Sequence, residues 1–163
     1  IPTFLPPHKS VSDDFLSSGD RLNMCKLAFD LLENTEVSDI EIEAKEKSYS
    51  VITFSKLHKI YPDAEFVMLC GADMFLTLKT WYKYDELIKL TAFCGLPRKV
   101  GTTELNDYAK IVEQDGGKCI IIDETVTDIS STEIRRMIID NIDVSDFVPE
   151  KVCEYIENNN LFR

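Results

Sequence analysis

The sequence predicts an α/β domain, a doubly wound and mostly parallel sheet with helices on both faces. Three observations predict it. Residues 65–70, 92–96 and 118–122 are short runs that are apolar almost throughout, as in strands covered on both faces. Between them lie segments with apolar residues at helical spacing, so strands and helices alternate along the chain. Glycine or proline punctuates the changes, as at Pro62, Gly71 and Gly116-Gly117.

In order, Ile1-Pro2-Thr3-Phe4-Leu5-Pro6-Pro7-His8-Lys9 reads as the end of a strand running into a proline-stiffened loop. Leu22, Cys25, Ala28, Phe29 and Leu32 predict a first amphipathic helix over residues 18–34. Residues 37–44 alternate, with Ile40, Ile42 and Ala44 on one side and acidic residues on the other, which predicts a strand near a sheet edge. Val51, Phe54, Leu57 and Ile60 predict a helix stopped by Pro62, with His58 off the apolar row and facing solvent. Residues 65–70 form the next strand and end in Gly71-Ala72-Asp73. Helical pieces over 74–79 and 84–90 flank Trp81-Tyr82-Lys83. Residues 92–96 are a strand, 102–114 a helix stopped by Asp115-Gly116-Gly117, and 118–122 a strand. A helix over 130–141 follows, and Pro149 opens a last short one. The expected architecture is Rossmann-like and a single domain spans residues 1–163.

Composition narrows the function. The chain has 18 basic and 29 acidic residues, a formal charge of -11, and no basic cluster long enough to make a nucleic-acid face. A small anionic ligand remains compatible, because a few basic groups can converge on one pocket. Five cysteines without CxxC or Cys/His spacing point to a reducing cytoplasm. No apolar run approaches the ~20 residues of a membrane helix, and two distant histidines make no metal site. Composition gives no evidence on a homo-oligomer.

The densest motif is Ile129-Ser130-Ser131-Thr132-Glu133-Ile134-Arg135. It sets hydroxyls at a helix start, where backbone N–H groups lack intrahelical partners and the dipole is positive, and Arg135 lies one turn further in. The plainer reading is a capping box, Ser130 with Glu133. In α/β sheets ligands bind beyond the carboxyl ends of strands. Gly71-Ala72-Asp73, the loop into Ser130, and Pro6-Pro7-His8-Lys9 are all expected at such ends.

Taken together, Ile1-Pro2 through Lys9, Arg21 with Met24, Ser48-Tyr49-Ser50, Gly71-Ala72-Asp73, Trp81-Tyr82-Lys83, Ile129-Ser130-Ser131-Thr132 with Arg135, and Val148-Pro149 with Tyr155 resemble bacterial nicotinate-nucleotide adenylyltransferases of the nucleotidyltransferase superfamily. The pieces are collinear and cover nearly the whole chain. The resemblance implies attack of nicotinate mononucleotide on the α-phosphate of ATP, giving nicotinate adenine dinucleotide and pyrophosphate. Positioning and charge stabilisation with Mg²⁺ would carry it, without a protein nucleophile. It further implies that Lys9, Ser131, Thr132 and Arg135 hold phosphates and that Gly71 and Asp73 receive the ribose. Trp81 would stack on the pyridine ring, and Ser50 and Tyr82 would bind the nicotinate carboxylate.

Two departures from the family pattern stand out. Its first strand and Gly-rich loop, with an H-x-G-H motif, have no counterpart in residues 1–163; His8 is followed by Lys9-Ser10 and His58 by Lys59-Ile60. Residues 1–163 by themselves are therefore expected to be poorly active, and to bare an apolar face that a segment on the order of 40 residues would cover. After Ser48-Tyr49, Ser50 replaces the family's Thr and Ile52 its Asp, keeping a hydroxyl and losing a polar cap. The rival readings are an adenylyltransferase with another phosphorylated acceptor, such as phosphopantetheine, and a non-catalytic nucleotide-binding module.

Overall fold

The computed structural model describes residues 1–5, 16–97, 101–124 and 129–162. In chain order its elements are α1 (Ser18–Phe29), α2 (Ile40–Ala44), α3 (Ser50–Ile60), β1 (Val67–Gly71), α4 (Ala72–Phe75), a 3-10 turn (Leu78–Thr80), α5 (Tyr84–Leu87), β2 (Ala92–Leu96), α6 (Thr102–Gln114), β3 (Cys119–Ile121), α7 (Ser131–Ile139) and α8 (Glu150–Asn158). They form two compact units, Ile1–Ser48 with Ile129–Arg163, and Tyr49–Asp128. None of the described helices is long and apolar enough to cross a membrane.

The second unit holds the sheet. Its three strands are parallel in the order β1-β2-β3, with Leu69 opposite Cys94 and Cys94 opposite Ile120. Parallel neighbours cannot be joined by a hairpin, so α4, the 3-10 turn and α5 cross from β1 to β2, and α6 crosses from β2 to β3. Phe75, Leu78, Leu87, Phe93, Leu105 and Val112 are fully buried and make the core. Leu105, Ala109 and Val112 form one stripe of α6, the spacing that period 3.6 requires. Gly95 keeps the helix layer close: a Cβ there would lie 2.9 Å from Ile121 Cδ1 and 3.2 Å from the Phe75 ring.

The expected strands at 65–70 and 118–122 are present, but their burial is one-sided. Cys94 is 3% exposed, whereas its row partners Leu69 and Ile120 are 66% and 50% exposed. Apolar composition shows which faces avoid water, and a strand at the edge of the described sheet has a neighbour on one side only.

The first unit is helical. Ser17 caps α1 by accepting from the Asp20 N–H at 3.0 Å, and α1 ends at Phe29, short of Leu32. Helix α8 packs on it: Tyr155 donates to Asp20 Oδ1 at 3.0 Å, and Asn23 donates to the Tyr155 hydroxyl at 3.0 Å. Val152 and Ile156 are the buried stripe of α8, with Pro149 at its N-cap as expected. Arg21 donates to the carbonyls of Thr3 and, at 3.0 Å, Phe4, tying the first residues to α1.

Residues 37–44 correct the prediction. Ile40–Ala44 is a short helix, capped at its C-terminus by Lys45 in the left-handed region, and no described strand covers 37–44. Glu and Ala are poor strand residues, and Glu41 and Glu43 stabilise a helix start, so local preference wins over a brief alternation. The strand expected at Ile1 is likewise reduced to a single parallel bridge, Leu5 with Lys47. His58 is half-buried rather than solvated, with Nε2 2.7 Å from the Leu90 carbonyl and its ring edge-on to Phe66.

Candidate functional site

The start of α7 is built by its own side chains. Ser130 is extended and accepts from the Glu133 N–H at 3.2 Å, while Glu133 Oε2 accepts from the Ser130 N–H at 2.8 Å, so the capping box is complete. That box engages the N–H groups of Ser130 and Glu133 and leaves those of Ser131 and Thr132, the next two orphan donors of the turn, for an anion. Both residues are exposed. Arg135 Nη2 donates to Thr132 Oγ1 at 3.1 Å, which folds the guanidinium back toward the same helix end. The cap therefore does not use up the N–H groups of Ser131 and Thr132 on the same turn.

At the carboxyl end of β1, Gly71 is the N-cap of α4 and Asp73 lies in its first turn. Asp73 is exposed, and its carboxylate makes no hydrogen bond to another described residue. Gly71, not Asp73, occupies the cap, so the carboxylate is not used up in starting the helix.

The third group gathers at the start of α3. Ser50 opens that helix behind Tyr49, with no side-chain cap and no acidic residue in the first turn. Its positive end has neither a side-chain cap nor a carboxylate from its own first turn, where Ile52 stands in place of the family's Asp. The Tyr49 ring lies 4.5 Å from the Tyr82 ring, which brings the Ser50 turn and the Trp81-Tyr82 turn together. Tyr82 is about half exposed; Trp81 is only 9% exposed, edge-on to Phe93 with ring centroids 6.5 Å apart. Trp81 therefore anchors the turn in the core and offers a ligand little surface. Lys9 and His8 lie outside the described residues.

Tyr49 and Asp115 were not singled out from sequence. Tyr49 stands inside the motif as an aromatic next to Ser50, which is a signal; Asp115 reads only as a helix stop, because its partners Lys79 and Tyr84 are remote in sequence.

Residues 1–137 match the cytidylyltransferase-like family model. The whole chain aligns at 34% identity with a probable nicotinate-nucleotide adenylyltransferase of Shewanella pealeana, covering 80% of that protein. The chain belongs to the nicotinate-nucleotide adenylyltransferases of the cytidylyltransferase-like family. A second relative, a probable nicotinate-nucleotide adenylyltransferase of Caldicellulosiruptor saccharolyticus, is 34% identical over 100% of the chain and 82% of its own length. Among solved structures, Plasmodium falciparum nicotinic acid mononucleotide adenylyltransferase matches with a TM-score of 0.64 in its complex with NaAD, at 16% identity over 98% of this chain and 78% of that one. Its complex with APC gives 0.61, at 17% identity over 91% and 77%. These likenesses show the Rossmann-like nucleotidyltransferase fold.

The adenylyltransferase family suits the chemistry available here. Burial pushes the Cys70 thiol up to about 12 and Cys119 to about 11, so both stay protonated and neither is a nucleophile at neutral pH. Among the described residues no three His, Cys, Asp or Glu side chains converge into a metal-binding group. What the described site residues offer is donors, hydroxyls, an arginine and a free carboxylate, which bind and position.

Proposed function

We propose that this protein transfers the adenylyl group of ATP to nicotinate mononucleotide, forming nicotinate adenine dinucleotide and pyrophosphate in NAD biosynthesis. A phosphate oxygen of the mononucleotide attacks the α-phosphorus, the bond from that phosphorus to the bridging oxygen breaks, and pyrophosphate leaves with the electron pair. The observation that carries the reading is the uncapped start of α3 set against Tyr82: Ser50 and Tyr82 present backbone N–H groups and a hydroxyl to a planar carboxylate. Trp81 supplies an aromatic edge for the pyridine. Its burial makes anchoring of the turn its larger share.

Ser131, Thr132 and Arg135 take the phosphates of ATP, with Lys9 added from the loop the family resemblance indicates. Asp73 at Gly71 accepts from ribose hydroxyls. ATP enters as its Mg²⁺ complex; the ion travels on the phosphates, where such sites keep several waters and need one or two carboxylates at most. Free cysteines throughout fit a reducing cytoplasm. The test is turnover by the full gene product. Given MgATP and nicotinate mononucleotide, it forms one dinucleotide for each pyrophosphate released; pyrophosphate without dinucleotide, or neither, overturns the reading.

A further inference from the structure

The Trp81-Tyr82-Lys83 turn is held at both shoulders by one carboxylate. Lys79, in the 3-10 turn before it, places Nζ 2.9 Å from Asp115 Oδ2. Tyr84, the first residue of α5 after it, donates its hydroxyl hydrogen to the same oxygen at 2.9 Å. The Lys79 backbone N–H also donates to the Tyr108 hydroxyl at 3.1 Å, so α6 grips that shoulder twice. Asp115 is the C-cap of α6, and Gly116 behind it has φ 94, a value glycine adopts without strain.

The turn requires such restraint. Lys83 sits at φ 54, in the left-handed region that a residue with a Cβ enters only when its surroundings hold it there. The turn's own backbone bonds, Trp81 N–H to Leu78 O at 2.9 Å and Tyr84 N–H to Trp81 O at 3.1 Å, do not engage the Tyr82 N–H. Tyr84 is 8% exposed, so the donor end of its bond to Asp115 is shielded while the carboxylate keeps contact with water; the Lys79 ammonium is half open to water and contributes less.

We propose that Asp115 is a positioning residue for the acceptor: by tying Lys79 and Tyr84 it fixes Tyr82 against Tyr49, and so holds the Tyr82 and Ser50 donors at the spacing a carboxylate needs. This rests on the carboxylate reading given above. Asp115 touches no substrate, so its loss should blunt recognition of one substrate and spare the other.

The experiment measures KM for both substrates, and the kcat/KM preference for nicotinate over nicotinamide mononucleotide, in the full gene product and its variants. Asp115→Ala raises KM for nicotinate mononucleotide roughly ten-fold, leaves KM for ATP within about two-fold, and lowers the acid preference by a similar factor. Asp115→Asn, which still accepts from Tyr84, recovers part of the loss. Ala109→Gly weakens the interior of the same helix and lowers Tm without touching either tie, and it keeps the preference. Equal effects of Asp115→Ala and Ala109→Gly, or a preference that survives Asp115→Ala intact, overturn the proposal alone. If the unaltered protein shows no acid preference, the carboxylate reading fails and the proposal falls with it. Should Asp115→Ala not fold, Tyr84→Phe carries the test, with a rise of roughly three-fold in the same KM expected and no change contradicting it.

Discussion

Arg135 bears on the phosphate half of the proposed reaction more than any other described residue. Its guanidinium is already turned to Thr132, one helical turn back, so little reorganisation is needed to meet an anion at that end. Arg135→Ala is predicted to lower kcat/KM at least about ten-fold, or about 1.4 kcal/mol in the barrier. An unchanged value removes Arg135 from the site. Cys70 gives an independent residue-level test: buried and with its thiol pushed up to about 12, it should resist a thiol reagent at pH 8 until the protein is unfolded, and rapid labelling in the native state contradicts the burial. Residues whose role follows from near neighbours were legible. Ser130 and Glu133 stand three apart and the box could be read directly, whereas Asp115 acts on Lys79 and Tyr84 through the fold.

Among the elements, α7 joins stability to binding on one turn. Ser130→Ala removes the acceptor of the Glu133 N–H and should cost about 1 kcal/mol of stability, read as a lower midpoint in urea; no shift would mean the box contributes nothing in solution. The tie from α6 to the 3-10 turn and α5 is pH-dependent. Hydrogen bonds from Lys79 and Tyr84 hold the Asp115 carboxyl below its ordinary value, so it stabilises the fold above the unfolded carboxylate pKa and loses that effect as pH falls through the lowered one. Asp115→Asn should flatten this acid limb of the stability profile; an identical limb assigns it to other carboxylates. Helix α6 was predicted to the residue, because a long amphipathic stripe ends in Asp115-Gly116-Gly117. Residues 37–44 misled because Ile40-Glu41-Ile42-Glu43-Ala44 satisfies strand alternation and a helical turn alike, and over so short a stretch the helical preference of Glu and Ala decides.

In the molecule as a whole, the α/β class was legible because parallel strands must be apolar and must be separated by crossovers, and both marks are written in the chain. Coverage was legible in part: a bared apolar face was expected, but not which residues lie on it. Val67, Leu69 and Ile120 are apolar enough to be core yet 49%, 66% and 50% exposed, since burial belongs to what packs against a face and not to the face itself. The candidate site was legible as pieces: the sequence resemblance marks Ser50, Asp73, Trp81, Tyr82 and Arg135, and the structure adds how Tyr49 joins two of them. The central claim, adenylyl transfer to an acceptor recognised by its carboxylate, is tested most directly by pyrophosphate release from the full gene product with MgATP and three acceptors in parallel. Nicotinate mononucleotide is predicted to exceed nicotinamide mononucleotide by roughly a hundred-fold or more in kcat/KM, with no turnover of phosphopantetheine, because donors built for a carboxylate are left unpaired by the analogue. Equal use of the acid and the amide, or turnover of phosphopantetheine alone, would contradict it.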